Sequence, residues 1–244
     1  MSVAAARGQA AGPARGELEV RRLGRTRFED AHALQLELVD ARAEGRSGDV
    51  VLLTEHEPVV TLGRGTPRDA VQGVDLPVIE VERGGEATYH GPGQLVVYPI
   101  FLLSESRRDL KRYLRDLEDV VLGVLSEFEL EGERRPGYTG VWLAGKKVCS
   151  IGVAVRRWVT YHGFALNLHT DLAAFSSFRP CGLDPELMTR LADHVELPPT
   201  TMLGQVLVVK HLCRVFDLSL PPAPPLASPP PAAQGGFPSL PILP

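Results

Sequence analysis

The apolar positions of this chain recur with two periods, one typical of helices and one typical of strands. Where they recur every three or four residues we predict a helix that begins at a residue able to cap its first turn. Thr26 and Glu29 have the spacing of a capping box, and Asp184 followed by Pro185 has the composition of a helix start. Helices are therefore predicted after Thr26, after Ser106 or Asp109, at Asp184, and from Thr200 onward.

Short apolar runs bounded by turn residues predict strands. These runs are VVLLT (50–54), VVTLG (59–63), PVIEVE (77–82), LVVYPI (95–100), YTGVWLA, KVCSIGVAV and WVTYHGFALNL. Because strands come in blocks with helices between them, we predict an α/β protein of the α+β kind, with a mixed sheet and packed helices. We interpret 17–219 as one domain, 1–16 as a flexible N-terminal arm, and 220–244 as a Pro-rich tail that is disordered or docks to a Pro-recognising partner.

Composition excludes several classes of function. The 26 basic and 30 acidic residues give a net charge of −4, so no overall basic field favours nucleic acid. Three widely spaced cysteines argue against a disulfide framework and against a zinc site, and they leave room for one reactive thiol in a reducing compartment. The sequence offers neither a membrane-spanning run nor a secretory apolar core. We expect a cytoplasmic protein, with a mitochondrial location less favoured.

The stretch RGGEATYHGPGQLVVYP (83–99) is rich in glycine and follows a predicted strand. Since it leads into another strand and not into a helix, it does not fit a P-loop or a dinucleotide fingerprint. A plain hairpin turn is the alternative, but such a turn has no need for Arg83, Thr88, His90 and Gln94 together. We expect the adjacent glycines to bring backbone amides into contact with a ligand.

Two further segments carry candidate chemistry. In the strand GKKVCSIGVAV, alternation places Lys147, Cys149 and Ile151 on one face and Lys146 on the other. Solvent-exposed lysines are the alternative for this pair. Cys181 lies in a turn before a predicted helix start, where a thiol with a cation nearby becomes reactive. It is a candidate nucleophile or a structural cysteine, whereas Cys149 fits the core.

Taken together, these stretches resemble the lipoyl(octanoyl) transferase (LipB) family. The likeness covers roughly residues 50–188 and includes RGGEATYHGPGQ, GKKVCSIGV, YHGFALNL and FRPCGL. It implies the fold of the biotin and lipoate protein ligases. The implied reaction moves an octanoyl group from acyl carrier protein to a lysine of a lipoyl domain. The resemblance also implies that Cys181 accepts the acyl group and that Lys147 lowers the pKa of its thiol.

The same resemblance implies where the acyl chain binds and which proteins take part. The acceptors would be the lipoyl domains of 2-oxoacid dehydrogenase E2 subunits and the glycine cleavage H protein. No cofactor, metal, nucleic acid or membrane is expected, and His90 and His162 are expected to shape the site without binding metal, since no third ligand has zinc-like spacing. An ATP-dependent lipoate–protein ligase and a non-catalytic acyl-sensing regulator remain as alternatives. The implied acyl-binding residues are Arg83, Gly84, Gly85, Glu86, Ala87, Thr88, Tyr89, His90, Ser150, Ile151, Gly152, Gly163, Phe164 and Ala165.

Overall fold

The computed structural model describes residues 16–67, 71, 74–176, 178 and 182–222. Residues 1–15 of the predicted arm, residues 223–244 of the predicted tail, and Cys181 lie outside this part of the chain. The helices are α1 (Phe28–Ala43), α2 (Leu110–Ser126) and α3 (Thr201–Phe216). The strands are β1 (Leu18–Thr26), β2 (Asp49–His56), β3 (Val59–Leu62), β4 (Val78–Glu80), β5 (Thr88–His90), β6 (Gln94–Ile100), β7 (Gly132–Glu133), β8 (Gly140–Leu143), β9 (Lys146–Arg156) and β10 (Val159–Asn167).

Two sheets organise the strands. The larger has seven strands in the order β1-β2-β6-β10-β9-β8-β7, and the smaller has three in the order β4-β3-β5. In the large sheet only β1 and β2 run parallel, because α1 connects them, and every other neighbouring pair is antiparallel. The prediction of a mixed α/β sheet with packed helices is confirmed.

The central strands of the large sheet are apolar on both faces because helices cover both. Along β2, Val50 and Leu52 belong to the cluster that packs against α1. Val51 and Leu53 belong to the larger cluster that contains the apolar stripes of α2 and α3. Because successive side chains of β2 point to opposite faces, the strand contributes to two cores. The sheet is therefore packed between α1 on one face and the pair α2 and α3 on the other.

The predicted capping box at the start of α1 is wrong. The helix begins at Phe28 after Arg27, whose side chain makes no capping hydrogen bond. Thr26 instead ends β1, and its Oγ1 lies 2.9 Å from Oγ1 of Thr54 on the neighbouring strand. Thr26 therefore belongs to β1 and does not cap α1, although the local sequence pattern predicts a cap.

The predicted helix at Asp184 is shortened to a single turn. The Asp184 carboxylate accepts a hydrogen bond from the Glu186 amide at 3.0 Å, as a cap should. The turn ends at Leu187, however, because Met188 is extended and forms a bridge with Lys147 of β9. The helices from Asp109 and from Thr200 are confirmed, each with its predicted capping side chain bonded to a backbone amide of the first turn. None of the described helices is long and apolar enough to cross a bilayer.

Candidate active site

A cavity of about 360 Å³ opens between the glycine-rich stretch and strands β9 and β10. Its floor is made of small residues that face each other across the two strands: Gly152 pairs with Gly163, and Ser150 pairs with Ala165. Directly opposed residues share a face of an antiparallel sheet, so the missing side chains leave a trough. Phe28, Tyr98 and Phe164 add apolar walls. The volume and the mostly apolar lining are typical of a small-molecule site.

Arg83 holds the glycine-rich stretch in place. Its guanidinium, on a residue that is only 7% exposed, donates hydrogen bonds to the carbonyls of Gly84 (3.1 Å), Glu86 (2.8 Å) and Thr61 (2.9 Å). The Gly84 amide donates to Val153 of β9 at 3.0 Å. That amide is therefore used within the fold, contrary to the expectation that both adjacent glycines offer theirs to a ligand. The amide of Gly85 finds no acceptor within the described part of the chain and remains a candidate donor.

Lys147 lies at the cavity wall and is only 2% exposed. Its Nζ lies 5.1 Å from the centre of the Trp142 ring, within range of a cation–π interaction. Gly140 makes room for it, since a Cβ there would lie 2.8 Å from Lys147 Cε. Gly140 is in turn held by its amide, which donates to the buried carboxylate of Glu118 at 3.1 Å. The local packing therefore fixes a lysine against the cavity.

The expected alternation along β9 is interrupted near this lysine. Val141 of β8 pairs with Cys149, and the next residue, Trp142, pairs with Lys147, so β9 carries one extra residue. As a result Val148 and Cys149 both belong to the core, and Cys149 does not line the cavity. The placement of Cys149 in the core agrees with the prediction, and Lys146 is exposed as predicted.

A chain of buried hydrogen bonds connects the glycine-rich stretch to Lys147. His90 Nδ1 lies 2.7 Å from Gln94 Oε1, and the Gln94 amide donates to Asn167 at 2.9 Å. The Asn167 amide donates to the Thr189 carbonyl at 2.9 Å, and the Thr189 amide donates to the Lys147 carbonyl at 3.0 Å. The side chains of His90, Gln94 and Asn167 thus connect through the backbone of Thr189 to the backbone of Lys147. The fold thereby joins three motifs that are far apart in sequence.

The segment that follows Cys181 also reaches the cavity. Cys181 itself lies outside the described residues. Gly182, the next residue, has φ +69°, and a Cβ there would lie 2.5 Å from the Glu86 carboxylate. Glu86 lines the cavity. A side chain at Gly182 would therefore displace the end of the Glu86 side chain and strain the backbone at this left-handed φ.

The structure brings together most of the residues expected to bind the acyl chain. Ala87 and Tyr89 do not line the cavity, because both belong to a separate apolar cluster in which Tyr89 contacts Phe175 edge to face. Sequence reasoning missed the contributions of Phe28, Leu110, Leu114 and Tyr138, which reach the cavity from elements without a motif, and that of Tyr98, which follows the glycine-rich stretch in β6. The expected residues that line it are Arg83, Gly84, Gly85, Glu86, Thr88, His90, Lys147, Ser150, Ile151, Gly152, Gly163, Phe164 and Ala165.

Three buried histidines near the cavity are held neutral. Burial lowers the pKa of His56 to about 4 and that of His162 to about 3, and it lowers the pKa of His90 well below its usual value. His56 Nδ1 lies 3.2 Å from the Thr26 carbonyl, to which it must donate, so its Nε2 accepts from the Tyr98 hydroxyl at 2.7 Å.

Acid is expected to destabilise the protein through His56. An unfolded histidine titrates near pH 6.5, so between that value and about pH 4 the unfolded chain binds a proton that folded His56 does not. The free energy of unfolding should therefore fall as the pH is lowered, by up to about 1.4 kcal/mol per pH unit from this group. Urea unfolding of the wild type and of His56→Gln, followed from pH 7 to pH 4.5, measures the difference. If the free energy of unfolding changed equally with pH in the two proteins, the lowered pKa of His56 would be contradicted.

Comparison with known proteins identifies the fold first. A putative lipoate protein ligase from T. acidophilum with bound lipoic acid superimposes with a TM-score of 0.64 at 16% identity, over 84% of this chain and 88% of that one. A lipoate-protein ligase A bound with ATP gives the same TM-score at 15% identity, over 84% and 87% of the two chains. At this level of identity the likeness shows the fold alone, which is the lipoate protein ligase fold that the sequence implied.

Sequence similarity then identifies the family. Residues 27–211 match the lipoyl protein ligase A/B catalytic domain. The chain is 51% identical over 164 residues to an octanoyltransferase of Geobacter metallireducens, which covers 67% of this chain and 77% of the relative. It is 42% identical over 204 residues to an octanoyltransferase of Syntrophotalea carbinolica, covering 84% and 97%. The chain belongs to the lipoyl protein ligase A/B catalytic domain family, among its octanoyltransferases.

Proposed function

We propose that this enzyme transfers an octanoyl group from octanoyl-acyl carrier protein to a lysine of a lipoyl domain, through a thioester on Cys181. The observation that carries the proposal is the buried lysine, Lys147, at the wall of a mostly apolar cavity in a member of the octanoyltransferase family. The trough at Gly152 and Gly163 is suited to a linear acyl chain because no side chain interrupts it.

The first half-reaction forms the acyl-enzyme. The Cys181 thiolate, paired with the Lys147 ammonium, attacks the thioester carbonyl, and the carrier thiolate leaves with the proton from Lys147. The exchange of one thioester for another is nearly isoenergetic, so no ATP is needed. The Gly85 amide, which has no acceptor among the described residues, is the candidate donor to the tetrahedral oxyanion.

The second half-reaction releases the product. The acceptor lysine enters as a neutral amine and attacks the Cys181 thioester, while the now neutral Lys147 takes the amine proton as general base. Cys181 leaves as a thiolate beside the restored ammonium, which returns the pair to its starting state. The amide product is more stable than the thioester, and this difference drives the transfer.

An ATP-dependent ligase is the main alternative, since that class shares the fold. It would activate a free acid as an adenylate and would have no need for a cysteine nucleophile. Transfer from octanoyl-carrier protein in a reaction without ATP separates the two functions. A non-catalytic acyl-sensing regulator would give no transfer under either condition.

We propose the start of α2 as the docking surface for the acyl carrier protein, which we expect to be acidic. Arg108, Lys111 and Arg112 are exposed there, and Leu110 in the same turn lines the cavity. The three cations form no ion pair within the described part of the chain. A second exposed basic pair, Arg156 and Arg157 between β9 and β10, is less suited because both already contact Asp40, at 2.7 and 2.5 Å.

Reversing charge on this surface should weaken carrier recognition. The double variant Lys111→Glu with Arg112→Glu is expected to raise KM for octanoyl-carrier protein about tenfold at low salt, with kcat unchanged, and the difference should shrink at physiological ionic strength. Arg22→Glu with Arg46→Glu is the matched control, because both arginines are exposed elsewhere and the net charge changes equally. Rates that do not respond to salt, or an equal effect in the control, would contradict steering by this surface.

A further inference from the structure

Three potential metal ligands meet beside the cavity, although they are distant in sequence. His32 comes from α1, Glu82 immediately precedes Arg83, and His162 comes from β10. Glu82 Oε2 lies 3.1 Å from His32 Nε2 and 3.6 Å from His162 Nε2, and the three ligand atoms all lie within 4.8 Å of one another. Ligand atoms about 2.0–2.1 Å from a tetrahedral zinc ion are about 3.3 Å apart. The cluster therefore has nearly the dimensions of a metal site.

The three atoms are buried and lack hydrogen bonds. His32 Nε2, Glu82 Oε2 and His162 Nε2 have no hydrogen-bond partner among the described residues, despite their proximity to one another. The His162 side chain is only 3% exposed, so water does not compensate for it freely. Buried polar atoms without partners destabilise the folded state, and a bound ion would satisfy all three together.

The charges in the cluster suit a cation with nitrogen ligands. The His162 side chain is almost fully buried, and its Nε2 lies 3.6 Å from Glu82 Oε2, so its lone pair is placed to bind an ion beside a carboxylate. Glu82 Oε2 lies 3.1 Å from His32 Nε2 and brings a carboxylate oxygen to the two imidazole nitrogens. The Arg83 charge opposes a cation, although its guanidinium is engaged by the carbonyls of Gly84, Glu86 and Thr61.

We propose that His32, Glu82 and His162 form a binding site for a divalent transition-metal ion of the zinc type. Two imidazole nitrogens and one carboxylate oxygen are a common donor set for Zn²⁺. The Glu82 side chain is 43% exposed, which gives the ion a route from solvent and leaves a position for water. His162 lines the cavity and His32 does not. The ion would therefore have a structural role, because it would link α1 to β10 at the cavity wall. Because Arg83 weakens the attraction, the expected affinity is micromolar.

Zn²⁺ titration of the full chain tests the proposal. The Cys181→Ser background removes the proposed nucleophilic thiol as a competing ligand, and isothermal titration calorimetry gives stoichiometry and affinity. We expect one Zn²⁺ per chain, a higher melting temperature with Zn²⁺, and at least a tenfold loss of affinity in His32→Phe, which keeps an aromatic ring at that position. His169→Phe, at an exposed histidine outside the cluster, is the matched control and should bind normally.

Glu82→Gln provides a second variant should His32→Phe fail to fold, because it preserves shape while removing the ionised ligand. It too should lose at least tenfold in affinity. Visible absorption of bound Co²⁺ reports the coordination directly and should disappear in both cluster variants. Absence of stoichiometric Zn²⁺ binding, or the same affinity in the cluster variants and in His169→Phe, would overturn the proposal. Neither result bears on octanoyl transfer, which requires no metal in the scheme above.

Discussion

Lys147→Arg is expected to accept an octanoyl group from the carrier protein and then stall as the acyl-enzyme. Arginine keeps the positive charge that stabilises a thiolate, but it does not release its proton near neutral pH and so cannot act as a base toward the acceptor amine. The overall rate should fall by about 10² to 10⁴, the usual contribution of general base catalysis. Lys147→Ala should be slow in both halves, and Cys181→Ser should abolish transfer while leaving the fold intact.

Lys146→Ala is the internal control for this series. Lys146 is adjacent in sequence but exposed, so its loss should cost no more than a typical surface substitution. Single-turnover measurements with octanoyl-carrier protein, with and without a lipoyl domain, separate the two half-reactions. If Lys146→Ala lost activity while Lys147→Ala kept it, Lys146 and not Lys147 would be the residue that acts with Cys181. Normal rates in both lysine variants, with Cys181→Ser still active, would remove the basis for the mechanism.

Gly140→Ala should reduce kcat by about a hundredfold without touching a reacting group. The new Cβ would lie 2.8 Å from Lys147 Cε and 2.5 Å from the Cys149 carbonyl, so either Lys147 or β9 must move. A displacement of about 1 Å at a catalytic group is enough for a loss of this size. Steady-state kinetics should show the loss in kcat with KM for the carrier little changed.

Gly145→Ala is the control that isolates the displacement of Lys147 from backbone strain. Both glycines have φ in the left-handed range, +132° and +76°, so each substitution strains the backbone by about 1–3 kcal/mol. At Gly145, however, no atom lies within 4 Å of the new Cβ. Gly145→Ala should lose some stability but keep its activity, whereas Gly140→Ala should lose more stability, because of its contact with the Cys149 carbonyl, and most of its activity. Equal activities in the two variants would show that the packing of Lys147 against Gly140 is unimportant.

Much of the fold could be predicted because its signals are local. Apolar stripes and capping side chains located α2 and α3, and short apolar runs located β2, β6, β9 and β10. The errors arise where one residue serves two elements. Thr26 was assigned to a helix cap but pairs in β1, and the helix at Asp184 ends early because Met188 joins β9 as a bridge.

The sequence predicted those site residues that lie in recognisable motifs. It did not predict the residues that only the topology of the fold brings to the site. The glycine-rich stretch and the lysine strand supplied most of the cavity, yet Glu118 and Gly140, which support Lys147, have no sequence signal of their own. The extra residue in β9 was equally invisible, because alternation assumes a regular strand. Sequence spacing could not show, for the same reason, that the fold brings His32 and Glu82 beside His162 from other elements.

The central claim is that Cys181 carries the octanoyl group between the two protein substrates. The most direct measurement mixes the purified protein with octanoyl-carrier protein, without ATP and without acceptor, and follows its intact mass. The account predicts that the mass increases by one octanoyl group, that peptide mapping locates it on Cys181, and that adding a lipoyl domain discharges it onto the acceptor lysine. An unmodified enzyme that nevertheless transfers octanoate, or transfer that requires ATP, would contradict the account.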